Sequence, residues 1–303
     1  QSKLKKLIVS LLTALLQQRG KEMNVVKVGN PFSNPYFCEH KMYRLKIPTN
    51  ISNFLQQYFD KILVVSVPRF TGRHERVKQS LEGLPFEFFW GADKLELNYD
   101  TAKRDGTYNE QMAKKLQRQG KALNLGEIAC SLSHRNVYAA MIENNWKKVL
   151  ILEDDVLPLM GNMNLLPEAI NELPEGWELV YLGYLKHENI TARLKIKQFF
   201  YKLISAAGLM SWTYKMVGNL LPKPFSAHLK KAGFHDCTHA YAVTLEGAKK
   251  LLASQTPVVY RADDLLSATI MKGEMNAFVT EPKFFDQEDF HNAAATSEIK
   301  TGS

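Results

Sequence analysis

Residues 149–157 read VLILEDDVL, a run of branched apolar side chains that stops abruptly at Glu153, Asp154 and Asp155. The run reads as a buried strand, and its carboxyl end gathers three negative charges where neither burial nor mutual repulsion is tolerable without a compensating cation. Carboxylate oxygens suit a hard divalent ion, Mg²⁺ or Mn²⁺, which keeps open positions for substrate phosphates. The acids therefore predict a metal and a phosphate-bearing ligand. The plainer alternative is a solvated acidic turn that caps the following segment.

Outward from this strand, helical and strand-like patterns alternate. Residues 62–67 and 86–90 read as strands, with a helix at 71–81 between them. A longer helix over 126–144 presents Ile128, Leu132, Val137 and Met141 on one face and leads into the strand 148–153. Further on come a strand at 179–182, a strand at 240–244 followed by a helix at 245–252, a helix at 262–271 and a last strand at 277–280. This alternation predicts an α/β fold with a mainly parallel central sheet covered by helices on both faces. Ligands of such sheets gather at the carboxyl ends of the strands, where the three acids lie.

Before this core, Leu4, Leu7, Ile8, Leu11, Leu12, Leu15 and Leu16 recur at helical spacing, so residues 3–19 are expected to form an amphipathic helix. It is shorter than the roughly 20 apolar residues that cross a bilayer, and no small-residue cleavage site follows it, so neither a membrane span nor a signal peptide is expected. Residues 20–60 read as an irregular lead-in. The expected organisation is an N-terminal extension at 1–60, one catalytic-size domain at 61–299 with an insert at 189–235, and a tail at 300–303.

At 303 residues, 45% hydrophobic and 23% charged, the composition is that of a globular chain, not a disordered one. Three cysteines without a CxxC pair point to neither a disulfide framework nor a zinc site, which fits a reducing compartment. The formal net charge of +8 is local: residues 189–235 hold no acid but eight cations, Arg193, Lys195, Lys197, Lys202, Lys215, Lys223, Lys230 and Lys231. Elsewhere acids and bases balance. Phe199, Phe200, Tyr201, Leu203, Ile204, Trp212 and Tyr214 are interleaved with those cations. An anionic membrane surface is the partner this mixture fits best, each cation contributing roughly 1 kcal/mol. A core helix with a solvated cationic face ranks second, and single-stranded nucleic acid, which uses the same residue types, ranks last.

Four motifs stand in one order: VVSVPRFTGRHERV, which carries Arg69, Arg73, His74 and Arg76; FEFFWGAD, ending in Asp93; LGEIACSLSHRNVY, with Ser131, Ser133 and His134; and LEDDV. Arginines near a strand end and a helix start suit a diphosphate. With the later THAYAVTLEGAKKLL and ADDLL, the series resembles glycosyltransferase family 25 over residues 61–299, whose bacterial members extend lipooligosaccharide and whose animal members glycosylate collagen. Two departures stand out: Val67 and Pro68 precede Arg69, and Lys94 follows Asp93 where the family has glycine.

The resemblance implies a GT-A type fold that binds a nucleotide sugar, most often UDP-galactose, together with Mn²⁺ or Mg²⁺. By position it implies Asp155 with Glu153 or Asp154, and His239, as metal ligands, with His291 a competing candidate and a structural role an equal alternative for His239. It implies Arg69, Arg76, Asp93, His134 and Asp154 around the nucleotide. Asp263, with Asp264 beside it, is implied as the base for an acceptor hydroxyl, or else as a helix cap. The acceptor would be an oligosaccharide or glycolipid such as a lipooligosaccharide core, attacked with inversion, by a cytoplasmic enzyme peripheral to the inner face of the bacterial membrane.

Two other functions fit the acidic strand. A receiver-like signalling domain opens its metal pocket with similar acids, but it needs a further strand ending in aspartate, and no Asp occurs between Asp155 and Asp236. A non-catalytic membrane-associated scaffold would use residues 189–235 alone.

Overall fold

The computed structural model describes residues 46–117 and 120–288. Helix α1 (Thr49–Tyr58) precedes β1 (Lys61–Ser66), α2 (Thr71–Ser80), β2 (Glu87–Trp90), α3 (Tyr99–Arg104), α4 (Glu110–Leu116) and α5 (Leu125–Glu143). Then follow β3 (Lys148–Glu153), β4 (Val156–Pro158), α6 (Leu166–Asn171), β5 (Leu179–Leu185), α7 (Ala192–Ala206) and α8 (Tyr214–Gly218). The last elements are β6 (Lys223–Pro224), β7 (Leu229–Lys231), β8 (Asp236–Thr244), α9 (Leu245–Ser254), α10 (Ala262–Lys272), β9 (Ala277–Thr280) and β10 (Phe285–Gln287).

Eight strands form one sheet in the order β2-β1-β3-β8-β5-β9-β7-β6, and β4 pairs with β10 beside it. The expected α/β class is therefore present, but the sheet is mixed. β1 is parallel to β2 and β3, and β5 to β9, whereas β8 runs antiparallel to both of its neighbours, β3 and β5. The reason is where the chain leaves and returns. Residues 186–235 depart from the carboxyl end of β5, and β8 starts at that same end with Asp236 opposite Leu185. A strand that starts where its neighbour stopped must run back. An apolar run carries no direction, so the sequence pattern does not reveal this.

Alternate residues of the central strands feed two cores. Leu150, Leu152, Val180, Leu182, Ala240 and Ala242 pack on one face with α1 and α6; Val149, Ile151, Leu179, Tyr181, Tyr241 and Val243 pack on the other with α5, α9 and α10. Burial on both faces explains why β3 is continuously apolar up to Glu153.

The lead-in expected to be irregular ends in α1, whose Ile51 and Leu55 are fully buried under β1 and β3. Its apolar residues recur at helical spacing, but ten residues are few for a pattern embedded in Asn and Pro to stand out. The amphipathic helix expected at 3–19 and the candidate ligand His291 lie outside the described residues.

Candidate active site

The acids of β3 emerge at the carboxyl end of the sheet, and the fold gives each a different neighbourhood. Glu153 is held from two elements. His134 of α5 places Nε2 3.3 Å from Oε1, and Thr238 of β8 donates its hydroxyl to the same oxygen at 2.5 Å. Burial works against its ionisation, yet these hydrogen bonds and the nearby imidazoles prevail, so the carboxyl titrates below the ordinary glutamate value. His134 is itself 2% exposed, with Nδ1 2.9 Å from the Tyr241 hydroxyl, which in turn lies 2.8 Å from that of Tyr138. This chain fixes the imidazole under Glu153.

Asp154 points the other way. Ser66 at the end of β1 donates to Oδ2 at 2.5 Å, and Arg73 of α2 donates to Oδ1. Burial still pushes this carboxyl above its ordinary value, only partly offset by the Arg73 charge. The third acid, Asp155, sits 3.6 Å from Arg73 Nη2. Gln287 of β10 donates its amide over 3.5 Å to Asp155 Oδ1 and over 3.5 Å to Glu153 Oε2. One amide nitrogen thus lies between the two carboxylates that the sequence marks as metal ligands.

His239 of β8 lies within reach of the Glu153 and Asp286 charges, but among the described residues the three whose candidate ligand atoms close to within 4.8 Å of one another are Cys130, His134 and Glu153. His239 is 0% exposed, and neither ring nitrogen has a hydrogen-bond partner of ordinary geometry among the described residues. Burial lowers its pKa, opposed by the negative charges of Glu153 and Asp286. A Cβ placed on Gly183 of β5 would stand 2.3 Å from His239 Nε2, so the ring takes the space that only glycine leaves there. Buried imidazole nitrogens are ordinarily satisfied, and a metal is one partner that satisfies them. Two carboxylates and an imidazole fit a divalent cation by their chemistry. Cys130, whose Sγ lies within 4.8 Å of the ligand atoms of His134 and Glu153, fits less well. Burial, and then the charges of Glu153 and Asp263, push its thiol well up and keep it protonated.

Asp263 and Asp264 begin α10 after Arg261. Arg261 Nε donates to Asp264 Oδ2 at 2.8 Å and lies 3.9 Å from Asp263 Oδ1. Asp263 accepts the Asp264 amide at 2.8 Å and the Cys237 amide at 3.5 Å; it lies within the first turn, and the helix start has no side-chain cap. Burial, with the Asp264 charge next to it, raises the Asp263 carboxyl to about 6. Glu153 and Asp263 both act on the Cys130 and Cys237 thiols, which places the β3 acids and the α10 acids around one region. Cys237 itself has φ 74°, and Lys186 and His187 at the end of β5 have φ 64° and 57°. Three non-glycine residues in the left-handed region at one sheet end are the kind of strain that a functional site retains.

Two predicted nucleotide residues pair with each other. Arg69 Nε donates to Asp93 Oδ2 at 2.5 Å, and the Leu95 amide donates to Asp93 Oδ1 at 3.0 Å. Burial opposes ionisation of Asp93, but these bonds outweigh it and lower its pKa. The Asp93 turn rests on α5, where Ser133 Oγ accepts the Ala92 amide at 3.0 Å and closely abuts Gly91. Arg76 stands apart: it is 52% exposed and reaches Glu288 at 3.0 Å, not the acids. The sequence reading omitted Ser66, Thr238, Gln287 and Tyr241. Ser66, Thr238 and Gln287 each bind an acid from another strand, and Tyr241 orients His134; Ser66, Thr238 and Tyr241 lie inside the sequence motifs, but nothing in those motifs shows which partner each meets.

A family model described as "Glycosyltransferase family 25 (LPS biosynthesis protein)" matches residues 59–266. The chain is similar to a "Glycosyltransferase 25 family member" of Anopheles gambiae, 29% identical over 203 residues, which make up 64% of this chain and 28% of that protein. It is similar to procollagen galactosyltransferase 2 of Mus musculus, 26% identical over 65% of this chain and 28% of that one. It is also similar to "Inactive glycosyltransferase 25 family member 3" of Homo sapiens, 28% identical over 65% of this chain and 29% of that one. The chain thus matches less than a third of the length of these relatives.

Proposed function

The chain belongs to glycosyltransferase family 25, and from that premise we propose that it is an active hexosyltransferase that uses a nucleoside diphosphate sugar, UDP-galactose first among candidates. The reading includes a GT-A type fold and a saccharide acceptor such as a lipooligosaccharide core, met at the inner face of a bacterial membrane. The observation that supports it is the gathering of Glu153 and Asp155 about the Gln287 amide at the carboxyl end of the sheet, with the buried His239 within reach of the Glu153 charge.

Glu153, Asp155 and His239 would hold Mn²⁺ or Mg²⁺. When bound, the ion would supply positive charge against the departing diphosphate. The remaining work falls to the protein. Arg73, fixed against Asp154 and close to Asp155, adds a second positive group at the same end. Arg69 and Asp93, locked together on the α5 surface, offer an ordered guanidinium and carboxylate for the nucleotide. Asp263 takes the proton from the attacking hydroxyl. A carboxylate that titrates at about 6 is a stronger base than an ordinary aspartate and is still ionised at neutral pH. Asp264, held by Arg261, positions its neighbour and raises its basicity. Direct attack on the anomeric carbon inverts its configuration.

Purified protein incubated with UDP-galactose or UDP-glucose, with manganese and then with a chelator, tests this. Metal-dependent release of UDP is expected with one of the two. A folded protein that neither binds nor turns over any nucleotide sugar with either metal would instead support a non-catalytic scaffold, as the name of the human relative describes for that protein.

A further inference from the structure

The segment between β5 and β8 builds a projecting helical pair, and α7 is its longer arm. None of the fifteen residues of α7 is buried. At about 100° of rotation per residue, Ile196, Phe199, Phe200 and Leu203 fall on one stripe, spaced i, i+3, i+4, i+7. All four are exposed, Ile196 and Phe199 at 58% each. The opposite side is the one that holds the helix to the body. Leu194 and Tyr201 pack on a small cluster of Leu220, Leu221, Phe234 and Met271. Gln198 donates to the Val217 carbonyl at 2.8 Å, and Ser205 to the Trp212 carbonyl at 2.7 Å. The apolar stripe is therefore fixed facing outward.

Its flanks are cationic. Arg193 and Lys197 lie on one side of the stripe and Lys195 and Lys202 on the other, with no acid anywhere in residues 189–235. Leu209 and Tyr214, in the turn to α8 and at its start, extend the exposed apolar surface. Apolar side chains flanked on both sides by long cations suit the boundary between lipid tails and anionic head groups, where the stems lie along the tails and the charges reach the phosphates. A second copy of this chain fits poorly, because two such faces would bring their cations together. Among the described residues no helix is long and apolar enough to cross a membrane, so the geometry is that of a helix lying in the surface.

We propose that α7, through Ile196, Phe199, Phe200 and Leu203 and the four cations beside them, docks the protein on an anionic lipid surface. The hairpin leaves β5 at the sheet end that carries Glu153 and Asp263. If the glycosyltransferase reading also holds, docking turns the site toward acceptors carried by that surface.

Co-sedimentation of the full chain with phosphatidylcholine vesicles, with and without phosphatidylglycerol, tests the docking without reference to catalysis. Binding is expected only to the anionic vesicles and is expected to weaken as salt rises. Each of Arg193→Ala, Lys195→Ala, Lys197→Ala and Lys202→Ala should lower the partition coefficient about fivefold. A combined Ile196→Ser, Phe199→Ser and Leu203→Ser variant should lose it almost entirely. UDP release in solution should stay unchanged in all of them, and so should thermal unfolding. The proposal is overturned by equal binding to neutral and anionic vesicles, by variants that bind as the parent does, or by retention on single-stranded nucleic acid with none on vesicles. It is equally overturned by a parent dimer that the serine variant dissociates and that ignores lipid.

Discussion

Two runs of like charge, three acids at the tip of β3 and the cations of the hairpin, behave in opposite ways once the chain is folded. Glu153, Asp154 and Asp155 are adjacent in sequence yet separated in role: the first is fixed by His134 and Thr238, the second is tied to Ser66 and Arg73, and the third faces Gln287. The hairpin cations Arg193, Lys195, Lys197 and Lys202 keep one arrangement, spread along a helix with no buried residue. Burial forces a distinct partner on every charge, because an uncompensated ion in the interior is costly. Exposure imposes no such choice, because water answers each charge separately.

The strongest way to break the comparison is to treat the three acids as equivalent. Asp155→Ala should lower turnover at least about a thousandfold, an increase of roughly 4 kcal/mol in the barrier, with the thermal unfolding midpoint little changed. Steady-state UDP release and circular dichroism check this, and full transfer activity would remove Asp155 from the proposed metal ligands. Asp154→Ala should do the reverse of what a ligand loss does, since it leaves Arg73 and Ser66 facing an empty, mostly buried position. A loss of about 2–4 kcal/mol of stability in urea unfolding is expected. Were the two variants to have the same profile, the separation of roles would be wrong.

Asp263 sharpens the contrast through pH. Its carboxyl titrates at about 6 in the fold against 3.8 for an unburied aspartate. The folded state therefore holds an extra proton between those values, and the stability this gives is complete below about pH 4 and gone once the pH passes about 6. Asp263→Asn should raise stability at neutral pH by about 2–3 kcal/mol while it removes transfer. In the parent protein, kcat/KM should fall as pH drops through about 6. A flat profile there would displace Asp263 as the base. The smallest effect belongs to the hairpin: Phe199→Ser should change stability by no more than about 0.5 kcal/mol, because its ring contributes exposed surface, not core. A larger loss would mean that the stripe is packed against the protein.

Much of this was legible in the sequence. VLILEDD specifies a buried strand with acids at its end, and the motif order carries the family. The mixture of cations and apolar residues over 189–235 is also plain in the sequence, whereas the helix that lines up residues 196, 199, 200 and 203, and their exposure, come from the structure. Local patterns decide the strand and the mixture because they depend on residues a few positions apart.

What the sequence left open is set by residues far apart in the chain. Ser66 meets Asp154 across 88 positions, Thr238 meets Glu153 across 85, and Gln287 meets both Glu153 and Asp155 across more than 130. The direction of β8 and the burial of His239 against Gly183 belong with them. Composition and spacing determined that a cluster of acids would sit at the end of a central strand and that the cations would concentrate, mixed with apolar residues, in residues 189–235. Only the tertiary structure decided which acid is neutralised by arginine and which turns toward the site. The physical reason is that the energy of a buried charge depends on the groups that fold around it, not on its neighbours in sequence.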